Sequence, residues 1–325
     1  MSLIRLVLIA PLLALSLASA RAGPVVERIK AQNVIRCGGA PRPGLVGVAP
    51  DGRAFGLYLD VCRAIGAALL GPAGRIEFQQ YDSDKAFGAA RDGAIDVSFV
   101  SGSEIVEAGL AGRIVPGPSI YFAATALMVA GASPAWHVED LAGRAICFSQ
   151  GANSHRHLEA WFASRKLDFT RMGYQEDVEL FDAYNARQCE GLAGESTVLA
   201  AVRRAGAGRA LESRILPEPL AVFPIIAATP TSDAQWTAIV AWAIHSLQRA
   251  DVASADWAAG GLESLTVKAP ELGLADDWQA RVVGAAGAYG VIFARNLGEG
   301  SPLKLPRGPN APAQQGGLLA PPYVE

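Results

Sequence analysis

The 325-residue sequence has little net charge, few histidines and, beyond its first residues, no long apolar run. A formal net charge of −3 gives no basic field for nucleic acid or an anionic membrane, so we expect neither as a partner. The four histidines show no recognisable metal spacing. His155 and His157 are two residues apart, so on a helix their rings point to different faces, which indicates a solvated surface. We therefore expect no metal and no other cofactor.

The amino terminus is the exception to this absence of apolar runs. A short basic start, Met1–Arg5, precedes LVLIAPLLALSLA, which is too short and too interrupted by proline for a membrane-spanning helix. Two small-x-small cleavage sites follow, ending at Ala20 and at Ala22. These features predict a signal peptide over residues 1–22 and export of the mature chain, with a retained amino-terminal anchor as the alternative. No cysteine lies at the boundary, so a lipid anchor is not expected.

Four cysteines in an exported chain indicate two disulfides, for which three connectivities exist. Cys37 ends the strand-like NVIRC, and Cys62 opens the helix that follows. Cys147 ends a second strand-like segment, RAIC, and Cys189 lies one helix further along. Pairing sequence neighbours joins each strand to a nearby element, so we predict Cys37–Cys62 and Cys147–Cys189. Free buried thiols are the alternative.

Short apolar runs alternate with amphipathic helices along the chain, which is typical of an α/β fold. A strand, a small polar loop and a helix occur in that order twice, around Ser101 and around Gly151. Loops that follow the carboxyl ends of strands and open helices are where α/β sheets bind ligands. The pattern therefore predicts two lobes that face each other across a cleft.

A family resemblance is carried by the segments VIRCGG, GLYLDVCRAIGAAL, FGAARDGAIDV, LAGRAICFSQGANS, ARQCEGLAGEST and GAAGAYGVIFARNLGEGSPLKLPRG. The chain resembles the periplasmic solute-binding proteins of amino-acid ABC transporters (family 3), and among them the general L-amino-acid-binding group. The resemblance runs from about Val25 to Tyr323. The long tail and the two cysteine-bearing strand–helix pairs make it specific to this group.

The resemblance implies a two-lobed periplasmic-binding-protein fold of type II, α/β in class and hinged by two crossover strands. We expect the crossovers at Ala126–Ala130 and Pro224–Ala228. Residues 24–125 and 226–325 are expected to form lobe 1, and residues 129–223 lobe 2. The implied function is delivery of an amino acid or a related amine-bearing solute to the membrane permease of an ABC importer. We expect a monomer in the periplasm that is not an enzyme.

The resemblance also implies where a ligand binds. In the family, hydroxyl groups and an arginine of lobe 1 hold the carboxylate of the ligand. Lobe 2 adds two threonines and an acidic residue that pairs with the ammonium group. The corresponding residues here are, in that order, Ser101 and Ser103, Ala108, Ala152 and Asn153, and Glu195. An aromatic lid of the family falls near Leu45 or Val46, neither of which is aromatic.

The usual carboxylate anchor is therefore missing, although such a contact contributes about 1.5–3 kcal/mol of binding free energy. Arg42, in the loop CGGAPRPGL, is a candidate replacement, with a solvent-facing arginine between two prolines as the alternative. Arg113 lies five residues beyond the family position and is expected to point away from the cleft. The predicted ligand contacts are Ser101, Ser103, Asn153, Glu195 and Arg42. Glu195 is expected to meet a positive group, because no Arg or Lys is near it in sequence.

Two other functions are compatible with the sequence. Glu195 would serve as an acid or base if the chain were an enzyme, but no second positioned carboxylate or nucleophile accompanies it. Glu104 and Glu107 are three residues apart at a helix start and are expected to face solvent. The second alternative is an accessory or sensor protein, in which the two-lobed scaffold has lost solute binding and serves a protein partner. The sequence does not identify the ligand, which is an amino acid or an amine or amide without a carboxylate.

Overall fold

The structure is a computed structural model, and it describes residues 22–49, 51–81, 88–89, 92–101, 106, 112, 114–206, 212–256 and 268–322. All of the predicted signal peptide except residue 22 lies outside these residues. The same holds for Ser103, Ala108 and Arg113, and for the two glutamates expected to face solvent.

The described residues form eleven strands and eight helices. The strands are β1 (Val34–Gly39), β2 (Gly47–Val48), β3 (Ala54–Phe55), β4 (Arg75–Gln80), β5 (Val97–Ser101), β6 (Ile114–Ala130), β7 (Ala145–Ser149), β8 (Thr170–Tyr174), β9 (Gly191–Glu195), β10 (Ser213–Ile215) and β11 (Ala221–Pro230). The helices are α1 (Pro24–Gln32), α2 (Leu57–Leu70), α3 (Asn153–Ser164), α4 (Asp177–Asn185), α5 (Ser196–Ala205), α6 (Ala234–Asp256), α7 (Trp278–Ala286) and α8 (Tyr289–Asn296).

One sheet contains nine of these strands, in the order β4-β1-β5-β11-β6-β9-β7-β8, with β10 paired to β6. The strands at each side, β4-β1-β5 and β9-β7-β8, are parallel within their group. The central pair β6 and β11 is antiparallel, both internally and to its neighbours. Two parallel halves are therefore joined by two antiparallel strands, which confirms the predicted α/β class and the role of two joining strands.

The strand β6 spans both halves because its 17 residues extend over about 55 Å. It pairs with β11 from Ile114 to Thr125 and with β9 from Thr125 to Val129. The predicted crossover Ala126–Ala130 is thus the end of β6 that lies beside β9. In β11, residues Ile225–Ala228 already pair with β5. At Thr125 the strand β6 changes its partner from β11 to β9, and from Ile225 onward β11 also pairs with β5. The exact lobe boundaries stay a prediction.

Each half has a hydrophobic core of its own. The larger core packs α2, α6, α7 and α8 on the first half, with Trp236 and Trp278 fully buried. Separate buried clusters lie in the second half, one around Leu158 and Phe162 and one around Leu180 and Leu199. The larger core also includes Ala200 of α5, so the two halves pack against each other at this helix.

Both predicted disulfides are confirmed. Cys37–Cys62 joins β1 to α2 with a Cα–Cα distance of 6.3 Å, and Cys147–Cys189 joins β7 to the residues before β9 with 5.8 Å. All four cysteines are buried, and none is free. Each bridge lies within one half of the sheet, so neither restricts the angle between the halves.

The carboxyl-terminal segment after α8 is bonded to the joining strand β6 through Asn310. This side chain is buried, accepts a hydrogen bond from the Phe122 N–H at 2.7 Å and donates one to the Phe122 carbonyl at 2.9 Å. Arg307 donates to the Asn310 carbonyl and pairs with Asp251 of α6. The segment is therefore bonded both to the first half and to the strand that leads to the second.

Replacing Asn310 by alanine should lower the free energy of unfolding by about 2–4 kcal/mol, because three side-chain hydrogen bonds are lost, two with Phe122 and one from the Tyr289 hydroxyl, and both backbone groups of Phe122 lose a partner in the interior. Urea denaturation followed by circular dichroism measures the change. The control is Gln315→Ala, an exposed position in the same segment, which should stay within about 0.5 kcal/mol of the wild type. Equal stability of both variants would contradict the proposed anchoring.

Candidate functional site

A cavity of about 320 Å³ opens where the two halves of the sheet meet. Its wall includes the last residues of three strands, Ser101 of β5, Ser149 of β7 and Glu195 of β9. Parallel strands end at a common edge of each half, and the helices that follow begin there, which is why polar side chains collect at this place. All four of the predicted ligand residues that the structure describes line this cavity: Arg42, Ser101, Asn153 and Glu195.

Arg42 faces the cavity and is not the solvent-facing arginine of the alternative interpretation. Its carbonyl accepts hydrogen bonds from the backbone N–H groups of Leu45 and Val46, both at 3.1 Å, which closes a tight turn after β1. Gly44 in this turn has φ +75°, and an added Cβ would lie 2.4 Å from Leu297 Cδ2, so only glycine fits. Leu45 and Val46 are buried in the larger core, so neither covers the cavity as a lid.

The Arg42 guanidinium forms an ion pair with the Glu195 carboxylate. The pair joins the loop after β1, in one half, to the end of β9, in the other. Its side chains are only 21% and 15% exposed, so the interaction is partly desolvated. No Arg or Lys lies near Glu195 in sequence, but the fold brings Arg42 to it from 153 residues away, so the carboxylate has a cationic partner before any ligand binds.

The Glu195 carboxylate has a second partner in Thr197, whose hydroxyl donates to Oε1 at 3.1 Å. Glu195 precedes the first residue of α5, yet its side chain makes no capping hydrogen bond to the helix. Thr197 is fully buried and therefore holds one carboxylate oxygen in place while Arg42 takes the other. This orientation directs the acidic group into the cavity and away from the helix backbone.

Ser101 and Asn153 differ in how firmly the fold holds them. Ser101 is buried and paired with Ile225 of β11, so its position is fixed by the sheet. Asn153 is the exposed first residue of α3, and its side-chain oxygen accepts a hydrogen bond from Arg156 on the same helix. The preceding residue, Ala152, offers no side-chain cap to this helix. Their roles as ligand contacts stay predictions.

Three residues of the joining region were missed by sequence reasoning. Thr125, buried in β6, shares a 2.8 Å hydrogen bond with Nδ1 of His157, and it pairs in register with Glu195. Phe223 of β11 lines the cavity and lies 5.7 Å from the His157 ring. Burial, together with the charge of Arg156, lowers the pKa of His157. His157 thus contacts the joining strands β6 and β11 instead of a solvated surface. No local pattern marks Thr125 within its long apolar strand.

The described residues hold no group of three or more His, Cys, Asp or Glu side chains suited to a metal ion. Within the same residues, none of the helices combines the length and apolar character needed to cross a membrane. The lining of the cavity includes hydroxyl, amide and charged side chains.

No family model matches the sequence. The chain is 30% identical over 324 residues to the general L-amino acid-binding periplasmic protein AapJ of Rhizobium johnstonii, covering 94% of each protein. It is 27% identical over 333 residues to the glutamate/glutamine/aspartate/asparagine-binding protein BztA of Rhodobacter capsulatus, covering 96% of each. A periplasmic binding protein of Brucella ovis, solved with glutathione bound, matches with a TM-score of 0.72 and 25% identity. That match covers 92% of this chain and 99% of the solved one, and it confirms the predicted two-lobed fold.

Proposed function

Because the chain belongs to the amino-acid-binding periplasmic proteins of ABC transporters, we propose that it captures a solute with a free α-amino-acid group. It delivers this solute to the membrane permease of an ABC importer, and it acts in the periplasm as a binding protein and not as an enzyme. The ligands named for the relatives are general L-amino acids, four acidic and amide amino acids, and glutathione. All of them carry an ammonium and a carboxylate group on one carbon.

The observation that carries this proposal is the Arg42–Glu195 ion pair in the cavity wall. An α-amino-acid group presents the complementary pair of charges. Its carboxylate binds the Arg42 guanidinium, and its ammonium binds the Glu195 carboxylate. One internal ion pair is thereby exchanged for two contacts with the ligand, so the net stabilisation is that of about one charged hydrogen bond, about 1.5–3 kcal/mol.

The start of α3 supports the same orientation of the ligand. Asn153 and Ser154 open this helix at the cavity, and no side chain caps its first backbone N–H groups. A helix amino terminus carries a partial positive charge, which favours a carboxylate beside it. The ligand carboxylate therefore lies between Arg42 and the start of α3, and the buried Ser101 supplies a hydroxyl from the opposite half.

Arg42 thus takes over the role that the family gives to the residue at position 108. Arg42 follows β1, whereas position 108, an alanine here, comes after β5 in the sequence. An enzyme would need a second acid, base or nucleophile beside Glu195. Within the described residues Glu195 is hydrogen-bonded to Arg42, a cation, and to Thr197, whose hydroxyl is fully buried and donates to the carboxylate, so neither side chain is placed to react with a bound solute.

A thermal-shift screen of the standard L-amino acids and glutathione tests the proposal. At least one of them should raise the melting temperature, because a ligand at about a hundred times its Kd adds about 2.7 kcal/mol of stability. The N-acetylated form of the same compound should give no shift, since acetylation removes the charge that Glu195 binds. If none of the compounds stabilises the protein, the proposal fails and the accessory role with a protein partner is favoured.

A further inference from the structure

A second carboxylate, Asp177, faces the same cavity. It is the first residue of α4, is exposed, and has no ion-pairing partner among the described residues. The charged side chains that line the described part of the cavity are therefore Arg42, Glu195 and Asp177. Once an α-amino-acid group has paired with the first two, one negative charge remains unmatched.

An acidic residue in the first turn of a helix often has a purely structural role, because the helix dipole stabilises its negative charge. What matters for a ligand is therefore the balance between the charge of the dipole and the charge of the Asp177 carboxylate. The amino terminus of α4 carries about half a positive elementary charge, whereas the Asp177 carboxylate carries a full negative one. The dipole thus offsets only half of the side-chain charge. This end of the cavity stays net negative and attracts a cation.

Part of the cavity wall is apolar. Leu180 and Phe181 of α4, together with Val198 and Leu199 of α5, line the cavity. Leu180 and Leu199 belong to one buried cluster, against which Phe181 packs. Such a wall suits the methylene groups of an alkyl side chain, which lose contact with water when they pack against it.

We propose that Asp177 binds the distal cation of a basic L-amino acid, so that the preferred solutes are amino acids such as lysine. The inference rests on the proposed function and makes its ligand more specific. The α-ammonium group binds Glu195, the α-carboxylate binds Arg42, the alkyl stem lies along Leu180 and Phe181, and the terminal cation pairs with Asp177.

Calorimetric titration with L-lysine and L-norleucine tests this inference, because the two differ at the terminal amine while sharing the stem. The wild type should bind lysine about fivefold more tightly than norleucine, as expected for an exposed ion pair. Asp177→Asn should remove this preference and leave norleucine affinity unchanged. The preference in the wild type should also shrink as salt is added.

The matched control is Asp182→Asn, which removes an exposed charge from the same helix and should keep the lysine preference. Asp177→Asn also removes the favourable contact with the helix dipole, so its norleucine affinity reports whether the site is still folded. If norleucine binds and lysine is not preferred, or if the preference survives in Asp177→Asn, the inference is wrong and the proposed function stands. If neither these two nor any standard L-amino acid binds, both are wrong.

Discussion

Removing both charges of the central ion pair, by Arg42→Ala combined with Glu195→Gln, should weaken binding of an L-amino acid by about 1.5–3 kcal/mol, or roughly ten- to a hundredfold. Each single substitution should cost much less. Loss of Arg42 frees Glu195 from a competing cation, and loss of the Glu195 charge frees Arg42, so each lost ligand contact is offset by an internal pair that no longer has to be broken. Calorimetric titration of the wild type, the two single variants and the double variant measures the change in binding free energy for each substitution and for the pair.

This non-additive result distinguishes an exchange of partners from two independent contacts. Independent contacts would give single losses that add up to the loss in the double variant. The control is Glu179→Gln, an exposed position in the same half as Glu195, and this variant should bind the ligand as the wild type does. Wild-type affinity in the double variant would show that the ligand lies elsewhere.

Removing the Cys147–Cys189 disulfide by alanine substitution should lower the free energy of unfolding by about 4 kcal/mol, because the bridge closes a 42-residue separation in the unfolded chain. The Cys37–Cys62 pair, with a separation of 25 residues, should cost about 0.5 kcal/mol less. Urea denaturation measures both. A cost below about 1 kcal/mol for either pair would contradict a structural role for that bridge.

The Cys147–Cys189 disulfide is also expected to affect ligand binding. Cys189 lies two residues before β9, and Glu195 ends that strand. Loss of the bridge should therefore loosen the strand that positions the carboxylate. If the variant without Cys147–Cys189 stays folded at low temperature, it should bind the ligand more weakly than the wild type. Removal of Cys37–Cys62 should instead affect β1 and the loop that carries Arg42.

The sequence predicted those features that depend on local pattern. Cys37 and Cys147 belong to recognisable strands. Cys62 belongs to a helix and Cys189 follows one, so pairing sequence neighbours predicted both disulfides. Ser101 and Glu195 each end a short strand, a position that predicts a ligand-facing side chain in an α/β sheet. These predictions needed only the alternation of strands and helices.

Features that depend on long-range packing were not predictable in the same way. Arg42 and Glu195 meet because the turn around Gly44 packs against α8, about 250 residues later in the chain. Thr125 is one residue of a 17-residue strand, and its partner His157 was assigned to a solvated surface. Asp177 had the appearance of an ordinary helix-start residue. Its place in the cavity follows from α4 and α5, which contribute Leu180 and Leu199 to one buried cluster and both line the cavity.

The central pairing of ligand carboxylate with Arg42 and ligand ammonium with Glu195 is tested most directly with two ligands. Wild type and Arg42→Ala are titrated with the L-amino acid of largest thermal shift and with its decarboxylated amine. We expect the wild type to bind the amino acid more tightly than the amine. This preference should fall roughly ten- to a hundredfold in Arg42→Ala. The amine itself should bind Arg42→Ala more tightly than the wild type, because the competing guanidinium is gone. An unchanged preference in Arg42→Ala would contradict the assignment of Arg42 to the carboxylate.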